Sequence, residues 1–127
     1  MASLGGLLRG EKSAVEEAAE LGLIVRRDGD TVEVSDLDSR TLLGLVPSRA
    51  GALVYHVDSA EHSFEAVILE DVMLLDKLEL SEIVERDEDG VRVKPPSIWL
   101  HEIDPGLENS RGRICSVARG AARCKPI

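Results

Sequence analysis

Glu20 to Val34, ELGLIVRRDGDTVEV, returns at an offset of 59 as Glu79 to Val93, ELSEIVERDEDGVRV. Nine of the fifteen positions are identical: Glu20, Leu21, Ile24, Val25, Arg27, Asp28, Asp30, Val32 and Val34 recur as Glu79, Leu80, Ile83, Val84, Arg86, Asp87, Asp89, Val91 and Val93. Self-similarity of this kind constrains the architecture before any motif is weighed. In each copy β-branched residues flank a short polar stretch, Asp28-Gly29-Asp30 or Asp87-Glu88-Asp89-Gly90, as in a hairpin with a tight turn. Val32 and Val34 alternate with Thr31 and Glu33, and Val91 and Val93 with Gly90 and Arg92, so each return strand has one apolar and one polar face.

Upstream of each hairpin the apolar residues fall at helical spacing. Ala14, Val15, Ala18 and Ala19 form one stripe of a helix expected over Glu11–Leu21; Val72, Leu75 and Leu78 form that of a second over Glu70–Leu80. Downstream, Asp38 to Leu43 lines up with Pro96 to His101, and Pro47 and Pro105 close the two stretches, which reads as a short helix in each copy. Between the copies, Ala52–Val57 and Phe64–Leu69 are apolar runs of strand length and predict a third hairpin, with Arg113–Val117 as the counterpart strand. The expectation is an α+β protein of two tandem helix-plus-β-hairpin repeats, units about 11–57 and 70–117, packed into one pseudo-symmetric domain. A single acidic domain would span 1–110, followed by a basic C-terminal segment, 111–127.

A chain of 127 residues supports one core of ordinary size. With one Phe, one Tyr and one Trp, that core must be aliphatic. No apolar run approaches the roughly 20 residues that span a bilayer, and Met1–Leu8 lacks a secretory pattern, so a cytoplasmic protein that does not enter the membrane is expected. The net charge of −9 opposes general nucleic-acid binding, because phosphate affinity comes from Lys and Arg. Residues 111–127 are the exception, carrying Arg111, Arg113, Arg119, Arg123 and Lys125 and no acid. Abundant Glu, Asp and Arg beside a single Asn resembles the surfaces of thermophilic proteins, where a bridge between the only cysteines, Cys115 and Cys124, would also be at home.

Motifs for chemistry are sparse. The two acidic turns resemble a calcium loop, but the position for the closing glutamate is Pro96, and they read as solvated hairpin turns. His56 and His62 flank Asp58 and Glu61 without a metal-ligand spacing, and His101 with Glu102 and Asp104 reads as a helix end. Cys115, in a basic segment, has the setting of a lowered thiol pKa, yet its strand position suits a small buried hydrophobe. Neither GxxxxGK[ST] nor GxGxxG occurs. No catalytic residue, metal or cofactor is expected; an enzyme would require His56 or His62 to converge in space with Asp58, Glu61 or Glu65.

The helix followed by Leu21 to Val34, and again the stretch Leu80 to Val93, resembles the recognition helix and wing of winged-helix domains. That resemblance implies a helix in the DNA major groove and a wing against phosphate. A winged-helix shape with an acidic surface more naturally mediates protein contacts. The leading expectation is therefore a non-catalytic interaction or assembly subunit, a homodimer or part of a larger complex, presenting an acidic surface to a basic partner. The alternative is a nucleic-acid-associated regulator that binds through Arg111, Arg113, Arg119, Arg123 and Lys125.

Overall fold

Short strands joined by tight turns pair with their chain neighbours, and a run of them gives an antiparallel meander. The computed structural model, which describes residues 2–49, 51–58, 63–88, 90–102, 112–118 and 121–126 (backbone alone at 58, 63, 100–102 and 118), follows this rule for most of its length. Two helices, α1 (Leu4–Arg9) and α2 (Lys12–Glu20), lead into five strands: β1 (Ile24–Asp28), β2 (Thr31–Ser35), β3 (Thr41–Ser48), β4 (Gly51–Asp58) and β5 (Ser63–Leu69). A 3₁₀ helix (Val72–Lys77), α3 (Leu80–Ile83), a separate hairpin of β6 (Val84–Asp87) and β7 (Gly90–Val93), and α4 (Pro96–Glu102) come next. β8 (Gly112–Ala118) and β9 (Ala121–Pro126) then complete a seven-stranded antiparallel sheet of order β1-β2-β3-β4-β5-β8-β9. The architecture is α+β and dominated by the sheet.

Period-two alternation decides which side of the sheet is covered. Val32 and Val34, Leu43 and Leu45, Ala52 and Val54, and Val67 and Leu69 are buried on one face. Leu4 and Leu7 of α1, Leu75 and Leu78, Leu80 and Ile83, Val93 of β7 and Trp99 of α4 complete a single apolar cluster with them. Trp99 lies fully inside, and its indole N–H makes no hydrogen bond among the described residues.

The covering layer is stitched on by backbone and side-chain hydrogen bonds. The Leu4 N–H donates to the Leu78 carbonyl at 2.8 Å and the Leu80 N–H to the Ala2 carbonyl at 2.7 Å. The Ser3 hydroxyl caps α1 by accepting the Gly6 N–H at 2.9 Å, and Gly10, at φ 75°, ends it in the left-handed conformation that favours glycine. The carbonyls left over at the helix ends are then met by matching arginines of the two hairpins. Arg27 donates to the Leu8 carbonyl at 2.7 Å, and Arg86 donates to those of Glu20 and Leu21 at 3.2 Å.

The two copies of the fifteen-residue stretch form hairpins of identical register: Val25 pairs with Val34 and Arg27 with Val32, as Val84 pairs with Val93 and Arg86 with Val91. Their surroundings differ. β2 continues into β3 whereas β6–β7 stands apart, Val32 is buried whereas Val91 is partly exposed, and Ile24 begins a strand whereas Ile83 ends a helical turn. Three sequence expectations are corrected. Residues from Thr41 onward form β3 rather than a short helix, with Pro47 inside the strand opposite Ala52. The second upstream helix is a 3₁₀ helix followed by one α turn. On α2 only Ala14 and Ala18 of the expected stripe are buried, one turn apart on a single line of the helix; Val15 and Ala19 are exposed. Pro105 lies outside the described residues.

The β2–β3 connection is held by one carboxylate. Asp36, nearly buried, accepts the Asp38 and Arg40 N–H groups at 2.9 and 3.0 Å and the Arg40 Nε at 2.9 Å. Burial by itself would raise this carboxyl, but the hydrogen bonds from Arg40 and Asp38 and the charge of Arg40 outweigh it and hold it below the ordinary range. Asp36→Ala should cost about 1–3 kcal/mol near neutral pH. Because the folded-state pKa is depressed, this contribution is complete above the unfolded-state value and is lost as the pH falls through the folded one. Urea unfolding of both proteins at neutral and acid pH should show the gap between them closing in acid.

Candidate functional site

The side of the sheet away from the helices is the open side, and its residues follow from the register. On β3, β4 and β5 the outward positions are Gly44 and Val46, then Leu53, Tyr55 and Val57, then Phe64, Ala66 and Ile68. On β8 and β9 they are Arg113, Cys115 and Val117, then Ala122, Cys124 and Pro126. Arg113 is the single charge among these, in a chain that is 31% charged. Phe64 and Ile68 are 37% and 38% exposed, and Val46, Leu53, Val57 and Val117 are partly exposed. The chain's only Phe and only Tyr both stand on this face.

Tyr55 explains how the face stays continuous. Opposite it on β3 is Gly44, and a side chain at Gly44 would collide with the Tyr55 ring. The ring therefore lies across β3 in the space glycine leaves open, toward Glu33 on β2. Burial first, and the Glu33 charge second, raise the phenol pKa. At the far rim, Cys115 and Cys124 face each other across β8 and β9 with Cα atoms 4.0 Å apart and are joined as a disulfide, which fastens the exposed edge strand β9 to β8.

The basic residues expected to hold nucleic acid are divided by the same alternation. Arg113 stands on the open face, while Arg123 and Lys125 pair with Ser116 and Ile114 and so stand on the other. Arg111 and Arg119 lie outside the described residues. The segment expected as a basic tail is thus, over 112–118 and 121–126, two strands of the main sheet. The stretch resembling a winged helix places its first hairpin at the sheet edge, where β2 is paired on both sides.

The convergence that an enzyme would need is present in part. His56 is buried on the covered face and pairs across the strands with Glu65, and the Ser97 hydroxyl of α4 donates to Glu65 Oε2 at 3.0 Å. Glu61, His62 and Asp104 lie outside the described residues, as do the side chains of Asp58, His101 and Glu102. Among the described residues no cluster of three or more His, Cys, Asp or Glu is suited to a metal, and no helix is long and apolar enough to cross a membrane.

The open face was not anticipated from sequence, where both sides of β4 read as apolar and nothing indicated which would be covered. Gly44→Ala should push the Tyr55 ring off β3, lowering stability by roughly 1–2 kcal/mol. Ultraviolet titration should then find the phenol closer to its ordinary value than in the wild type. No protein-family model, curated protein or solved structure matches this chain.

Proposed function

We propose that this protein is a non-catalytic assembly subunit whose contact surface is the open face of its seven-stranded sheet. The observation that supports the reading is the near-absence of charge across five adjacent strands, β3, β4, β5, β8 and β9, whose outward side chains are mostly aliphatic, aromatic or disulfide-bonded. The contact surface proposed is apolar, where the sequence alone pointed to acidic side chains. Fully covering a residue such as Ile68 or Phe64 contributes on the order of 1.5–3 kcal/mol, and here that contribution is only partly realised within the chain. The bridge at the rim keeps β9 in place as part of the same surface.

The test compares tagged wild type with Ile68→Glu and Phe64→Glu in pull-downs from the source organism's lysate, with nuclease added. Both positions are more than a third exposed, so the variants should fold. Partners that survive nuclease and fall at least tenfold with either variant are the expected result. Capture unchanged by both variants would remove the open face as the contact surface, and partners lost to nuclease alone would favour binding through the basic residues of the C-terminal segment.

A further inference from the structure

The two edges of the main sheet are held in different ways. At one edge, β1 packs Val25 against the apolar cluster and sends Arg27 to the carbonyl end of α1. At the other, all six residues of β9 are exposed, none belongs to the apolar cluster, and the strand pairs with β8 alone. Two strands without a buried side are marginal in water, so backbone pairing by itself holds β9 weakly. β8 is better anchored: it pairs with β5 from Gly112 to Ala118, and Ile114 packs against the cluster. The sheet can therefore lose β9 and keep β8.

What secures β9 is the bridge between Cys115 and Cys124, nine residues apart in sequence. Closing a loop of that length favours the paired state by roughly a hundredfold over the same strands without the bridge. Cys124 is exposed and Cys115 partly exposed, so the sulfur atoms are within reach of a soluble thiol. We infer that this disulfide is a redox-controlled latch: a dithiol reductant opens it and releases β9, while the rest of the sheet stays folded. One thiolate of the reductant attacks the Cys124 sulfur, the bond between the cysteines breaks, and Cys115 leaves as a thiolate. The second thiol of the reductant, as its thiolate, then attacks the reductant's own sulfur in the mixed disulfide and expels the Cys124 thiolate. Two electrons pass to the protein, both cysteine thiolates take up protons from solvent, and the reductant ends as its own disulfide. Arg113 stands on the same side of β8 two residues before Cys115, about 7 Å along the strand, where its charge favours the departing thiolate. Release of β9 leaves the far edge of β8 with unpaired backbone groups, a surface that accepts another strand. It also withdraws Ala122, Cys124 and Pro126 from the open face. The latch holds whatever the open face binds, so it does not depend on the assembly reading.

Amide hydrogen exchange of the full chain, oxidised and in excess dithiothreitol, tests the inference. Reduction should speed exchange in β9 by about tenfold or more, with a ceiling near the hundredfold that the loop closure supplies, and leave β3, β4 and β5 unchanged. Thiol labelling and mass measurement count the free cysteines in each state, and fluorescence of the buried Trp99 reports whether the core is intact. The double variant Cys115→Ser/Cys124→Ser should exchange like the reduced protein without any reductant present; if that variant does not fold, the reduced wild type alone carries the comparison. Equal exchange in β9 before and after reduction overturns the inference. So does a rise spread evenly over the sheet, a bridge that survives excess dithiothreitol, or a pair of cysteines that stays reduced in air.

Discussion

A strand cannot hide one side without committing the other, and that constraint organises this molecule. Consecutive side chains of β3, β4 and β5 point to opposite sides of one sheet, and the helical layer covers a single side. Val54 is therefore fully enclosed while its neighbours Leu53 and Tyr55 are not. Most natural antiparallel sheets resolve the asymmetry by making the second side polar. This one keeps it apolar across five strands, and where a gap would have opened, at Gly44, an aromatic ring from the next strand fills it. The fold and the proposed contact surface are two results of one alternation.

The covering layer is an insertion between β5 and β8, and it is joined to the N-terminal helices by directional bonds as well as by the apolar cluster. Backbone hydrogen bonds bind residues 2–4 to 78–80, Arg9 reaches Asp76 at 2.8 Å, and Arg86 reaches the end of α2. Apolar packing alone would allow the layer to slide over a surface of similar aliphatic residues. The backbone bonds to the carbonyls of Ala2 and Leu78 fix its position, because these residues are buried and an unmet buried carbonyl is costly.

Legibility of the fold in the sequence tracked the strength of local patterns. The repeated hairpins were readable because Val32 and Val34, and Val91 and Val93, alternate with polar residues around acidic turns. The hairpin of β4 and β5 was readable from two apolar runs around a polar stretch. β3 was not: Thr41-Leu42-Leu43-Gly44-Leu45-Val46-Pro47 has apolar residues on both sides, a glycine and a proline, and its alignment with Pro96–His101 suggested a helix. That helix reading also hid the Gly44–Tyr55 contact. The open face could not be found residue by residue, since the covered positions of β4, Ala52, Val54 and His56, are no more apolar than the open ones, Leu53, Tyr55 and Val57, and only the tertiary layer distinguishes them. The pairing of His56 with Glu65, one of the three acids the sequence offered, follows from the register of the β4–β5 hairpin.

The reach of Arg86 has a temporal consequence. During synthesis, α2 leaves the ribosome some 65 residues before the side chain that satisfies its last carbonyl groups. The backbone at Ala2 and Leu4 likewise awaits Leu78 and Leu80. The first hairpin and its neighbouring strands can pair as they emerge, whereas the two opening helices have no settled seat until most of the chain exists. Translation thus delivers the sheet from one edge inward and closes its covered side late, leaving the aliphatic surface of a nascent meander open on both sides for part of that interval.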